Sequence, residues 1–130
     1  MAGILKVDDL RGNTSAGDIT ITSEGGSATM QLQQGVAKAW CHWGQSDHVS
    51  DDTLNIASLT DVAVGRSKIN YTNVMSNANY VGHSTAQVLS TKVQFNLPAT
   101  THLEVFSRDV DGGSGEDLDD VGSSVVGDLA

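Results

Sequence analysis

The sequence predicts an all-β fold, a β-sandwich module of jelly-roll type with an extended N-terminal arm. Three observations lead there. Apolar and polar residues alternate with period two in segment after segment, turn-forming residues punctuate those segments, and helical spacing of apolar residues is almost absent. The 130 residues suit one ordinary domain. Only 38% of them are hydrophobic and six are aromatic, two each of Trp, Tyr and Phe. Such a chain buries a thin core by itself, and association with other subunits is a common way to bury more.

Met1 to Leu10 mixes Ile4, Leu5, Val7 and Leu10 with Asp8 and Asp9, and stretches rich in Gly, Ser and Thr follow. Asp18 to Thr22 alternates, with Ile19 and Ile21 on one face, and Ser23 to Ser27 supplies a turn. Residues 1–34 therefore read as an extended arm with a short hairpin, and residues 35–130 as the sandwich module. The module opens with Gly35 to Gly44, which holds both tryptophans between two glycines. Ala37, Ala39, Cys41 and Trp43 form one face, and Val36, Lys38, Trp40 and His42 the other. Both faces can be covered, one of them by a second subunit, which makes Trp40, Trp43, Val36 and His42 candidate interface residues.

Arg66 to Thr72 turns Ile69 and Tyr71 inward, and Thr91 to Leu97 does so with Val93, Phe95 and Leu97, with Pro98 ending that strand. Thr101 to Ser107, with Leu103 and Val105 inward, and Val121 to Val126 complete the set. Their spacing suits a sandwich.

Seven Lys and Arg against 16 Asp and Glu leave a net charge of −9. This argues against a nucleic-acid partner, which needs clustered cations to displace counterions. No apolar run approaches a membrane span, and the opening residues lack the layout of a signal peptide, so the expectation is assembly in the cytoplasm without membrane insertion. Cys41 is the only cysteine, so an intrachain disulfide is excluded, and it reads as a small buried thiol.

Asp109 to Asp120 packs six carboxylates into twelve residues, opening on Asp-x-Asp-Gly. Calcium loops need a further ligand before the glycine and a glutamate at the twelfth position, and both are missing. The segment reads as a flexible solvated loop, with Asp109, Asp111, Glu116 and Asp117 as candidates to touch a receptor. His42, His48, His83 and His102 lack metal-binding spacing. His48 with Asp47, Asp51 and Asp52 forms a polar turn that is a weaker candidate for a cation. A P-loop, a G-x-S-x-G elbow and a dinucleotide fingerprint are all missing, so the expectation is a non-enzyme without cofactor or metal.

Five segments, in order, resemble the tail-fibre and related virion proteins of tailed bacteriophages, especially marine ones. Ile4 to Leu10 with Thr14 to Thr22 is similar to their "LKVD…TTAG.ITIT" opening, and Leu32 to Trp40 to their "QQGLAKAW" strand. Asp52 to Asp61, then Lys68 to Thr72 with Met75 to Tyr80, track their "DSFNVSSITD…YTVNFT…M.DANY" pattern, and Val126 to Ala130 resembles their "FGDLA" ending. The likeness spans nearly the whole chain. There is no long shaft, and Val126 stands where the family often has Phe. Both departures favour a short fibre, knob or decoration protein over a long adhesive fibre.

The resemblance implies a structural protein of the virion, a homotrimer whose arm docks through Ile4, Leu5, Val7 and Leu10 on a tail adaptor, nozzle or capsid protein. Its module projects outward for attachment to a host glycan or receptor. Two alternatives stay open: a capsid decoration or head-fibre protein, and a carbohydrate-binding module in which Trp40 or Trp43 stacks on a sugar ring.

Overall fold

Why alternation becomes strand is plainest where each second residue is buried: Ser67, Ile69 and Tyr71 in one strand, Leu103, Val105 and Ser107 in another, Val121, Ser123 and Val125 in a third. The computed structural model describes residues 5–13, 19–22, 25–86, 91–111 and 113–130. Ile4, Asp18 and the side chain of Leu97 lie outside the described residues. Two compact units divide the chain, Met1–Val36 and Ala37–Ala130.

In the first unit, β1 (Thr20–Thr22) and β2 (Thr29–Gln31) pair antiparallel, with Ile21 opposite Met30, and one helical turn, α1 (Leu32–Gly35), follows. Gly35 thus closes a helical turn and does not open a strand. None of this unit's described residues is buried.

The second unit is a sandwich of two four-stranded antiparallel sheets. Its strands are β3 (Ala39–Trp43), β4 (Ser50–Leu54), β5 (Ile56–Ala63), β6 (Arg66–Tyr71), β7 (Val81–Ala86), β8 (Thr91–Ala99), β9 (His102–Asp109) and β10 (Val121–Val126). The first sheet has the order β4-β3-β10-β7 and the second β5-β6-β9-β8. Between them lie Ala39, Cys41, Trp43, Ile69, Tyr71, Met75, Tyr80, Leu103, Val105, Leu118, Val121 and Val125. The chain switches sheets between β4 and β5 at Asn55, which takes the left-handed conformation (φ 59°) that asparagine tolerates. Its side chain holds the switch, donating to the carbonyls of Lys38 and Asn73 at 3.0 Å each and accepting from the Asn73 amide at 2.6 Å.

Two expectations are corrected in β8. The strand runs past Pro98 to Ala99, with a register shift between Asn96 and Ala99. β8 is an edge strand, so a residue without an N–H can sit in it beside a bulge. Phe95 has the parity of Val93 but is 42% exposed, because it lies beside Gly82 where the sandwich is open between edge strands β7 and β8.

Between β5 and β6 the chain turns at Gly65 (φ 69°), whose amide donates to Asp117 Oδ1 at 2.7 Å and whose carbonyl accepts from the Ser107 amide at 2.8 Å. A Cβ there would overlap the backbone of Ser107, Gly115 and Glu116, so only glycine fits.

Candidate functional site

The register across the first sheet places Leu54, Trp40, Ser124 and His83 in one row, and Asp52, His42, Gly122 and Thr85 in the next. Trp40 is half-buried and His42 exposed, so this is the outer face of the sheet. Trp40, His42, His83, Thr85, Gly122 and Ser124 line a shallow groove of about 280 Å³ whose floor is glycine and serine. A half-exposed indole beside a flat floor and several hydroxyl and imidazole groups can take a polyhydroxyl ring.

His42 ties three segments together. Its Nδ1 lies 2.7 Å from Asp51 Oδ2 and its Nε2 2.5 Å from Asp120 Oδ1. Hydrogen bonds to Asp51 and then Asp120 hold its pKa above the ordinary 6.5. A raised folded-state pKa stabilises the fold fully below the unfolded value and ceases to as pH rises through the folded one. The melting temperature of the wild type is therefore expected to fall more steeply from about pH 6 to about pH 9 than that of His42→Gln, with the two converging at the alkaline end. Parallel profiles by calorimetry would contradict the clamp.

Of the four expected interface residues, Trp43 is corrected. It is 0% exposed, inside the chain's own sandwich, with its indole N–H directed at Ser123 Oγ (3.4 Å) and its ring near His48 (6.4 Å between centroids). It points to the opposite face from Trp40 and is not available to a neighbour. Trp40, His42 and Val36 retain exposed surface. Cys41 is buried in β3, and burial pushes its thiol up to about 12, which removes it as a nucleophile.

The polar turn around His48 splits its carboxylates among separate partners. Asp51 serves His42, Asp52 Oδ1 accepts from the Thr53 amide (2.8 Å), Asp47 Oδ1 accepts from the Val49 amide (3.0 Å), and His48 Nε2 reaches Ser67 Oγ at 3.1 Å. These carboxylates serve separate partners and do not converge on His48. Among the described residues no three His, Cys, Asp or Glu side chains form a metal site.

The acidic segment between β9 and β10 is fastened, not the free loop its composition suggests. Leu118 is buried, and its carbonyl accepts from the Gln45 amide at 2.6 Å. Asp117 holds the Gly65 turn, Glu116 accepts from Thr91 Oγ1 at 2.8 Å, Asp119 from Ser46 Oγ at 2.6 Å, and Asp109 from the Asp111 amide at 3.0 Å. Of the four receptor-contact candidates, Asp111, Glu116 and Asp117 are exposed and Asp109 is half-buried. In the arm, Leu5, Val7 and Leu10 are exposed, Leu5 at 76%.

Alternation alone did not reveal Asp51 and Asp120 as partners of His42. Asp51 lies at the register shift of β4, and Asp120 is distant in sequence. Comparisons of the chain with protein-family models, curated proteins and solved structures find no match.

Proposed function

We propose that the chain is a structural component of a tailed-phage virion, a short tail-fibre or tail-knob subunit that docks through its arm and carries the sandwich as a homotrimer. The observation that carries this reading is the arm. Leu5, Val7, Leu10, Ile21, Met30 and Val36 are all exposed in a unit with no buried described residue, so its apolar side chains lack a core of their own. A segment of that kind gains burial only against another surface, such as a tail adaptor, nozzle or capsid protein. The motif order supports the same reading.

Gold labelling with antibody to the module, on particles made from the genome that encodes the chain, is expected at the tail. Label on the capsid would favour the decoration or head-fibre alternative, and unlabelled particles would overturn the virion role. Sedimentation of the full chain is expected at the trimer mass, and a monomer at all concentrations would sink the trimer.

A carbohydrate-binding module is the second reading, favoured by the Trp40 groove. Trp40→Ala abolishing retention on a glycan matrix while leaving particle incorporation intact would favour it.

A further inference from the structure

The five Lys and Arg of the sandwich are unevenly placed. Cross-strand pairs set Arg66 opposite Phe106, Lys68 opposite Glu104 and Lys92 opposite Arg108, with Gln94 also opposite Phe106. Directly opposed residues share a face, and Ser67, Ile69, Val105 and Ser107 fill the inner one. Arg66, Lys68, Lys92 and Arg108 therefore all lie on the outer face of the second sheet, in a chain whose net charge is −9. Among the described residues only Arg66 is ion-paired there, with Glu104. Among the described residues, Lys68, Lys92 and Arg108 have no carboxylate at ion-pair distance, and Lys92 and Arg108 are like charges opposed across a ladder, which is unfavourable until an anion joins them.

The same face is concave. Arg66, Phe106 and Arg108, together with Val64, Gly113 and Gly115, line a pocket of about 300 Å³, the size of a small-molecule site. The guanidinium carbons of Arg66 and Arg108 stand 5.0 and 5.5 Å from the centroid of the Phe106 ring, so both planar forks are held over one aromatic surface. Three carboxylates of the adjoining loop are directed to their own partners: Asp117 to Gly65, Glu116 to Thr91, Asp109 to the Asp111 amide.

We infer that this pocket binds a small organic oxyanion, a carboxylate or phosphate monoester, whose charged group is held by Arg108 beside the Arg66–Glu104 pair, with Lys92 opposite Arg108 on the neighbouring strand. A guanidinium fork matches both oxyanions in geometry. A long polyanion does not fit, because the acidic remainder of the chain repels it. The site is independent of the virion reading and would stand if that reading fell.

Titration of the purified full chain with glucuronate, glucose 6-phosphate and neutral glucose, by calorimetry or amide shifts at low salt, tests it. At least one of the two acids is expected to bind with a Kd in the low millimolar range or tighter, weakening with added salt, and glucose is not. Which acid binds tells carboxylate from phosphate. Arg108→Gln is expected to weaken binding at least about tenfold, and Lys92→Gln less, with the melting temperature of either variant unchanged or raised because the opposed charges are relieved. Both side chains are exposed, and the two substitutions are independent, so misfolding of one leaves the other as the test. Absence of binding by both acids at about 10 mM, equal binding of glucose, or undiminished binding by a folded Arg108→Gln would each overturn the site.

Discussion

Replacing Trp43 with alanine is expected to cost the fold about 3–5 kcal/mol, roughly a fifth or more of the stability of a typical domain. The indole is fully buried between the sheets, on the face of β3 shared by Ala39 and Cys41, whose small side chains cannot expand into the space it would leave. Trp43→Phe should recover much of the loss, because it restores most of the volume and Ser123 keeps its 3.0 Å contact with Ser84 Oγ after the indole donor is gone. Trp40→Ala, on the outer face, should cost only a small fraction as much in dilute protein. Thermal unfolding at several concentrations checks all three. A loss from Trp43→Ala that disappears on dilution would return Trp43 to a subunit interface and contradict its place in the core.

That contrast marks how far the sequence could be read. Period two assigned Trp43 and Trp40 to opposite faces, and it placed Ile69, Tyr71, Leu103 and Val105 inward, because each depends only on the parity of neighbouring residues. Parity does not say which face meets the other sheet and which meets solvent, so period two leaves Trp43 as eligible for an interface as for the core to which it belongs. Phe95 shows the converse: its parity is inward, yet it lies where the sandwich is open, and only the packing of β7 beside β8 decides its exposure. Composition misled at Asp109 to Asp120, where six carboxylates suggested a free loop and Leu118 anchors it. The pairs that matter for charge were least legible of all. Arg66 and Lys68 announce a common face by spacing, but Phe106 and Arg108 join them only through the β6–β9 register, some forty residues away in sequence, and nothing local encodes that pairing.

The same register supplies the second large effect. Glu104 sits on the outer side of β9, where an isolated carboxylate would keep its water, yet it is 2% exposed because the Arg66 guanidinium covers it and bonds Oε1 through Nε. Arg66→Met takes away the counter-charge and leaves a buried carboxylate without its ion partner, so the fold is expected to lose stability, by less than a pair buried on both sides would because the Arg66 side chain is itself 37% exposed. Glu104→Met removes the charge that needed compensation and exposes a guanidinium that water can reach, so its cost is smaller. The double replacement should recover much of what Arg66→Met loses, since two apolar side chains of similar length can pack where an ion pair had to be desolvated. Urea unfolding of the four proteins gives the coupling directly. A double mutant whose loss equals the sum of the two single losses would mean that water screens the pair, and that the burial of Glu104 does not make it depend on Arg66.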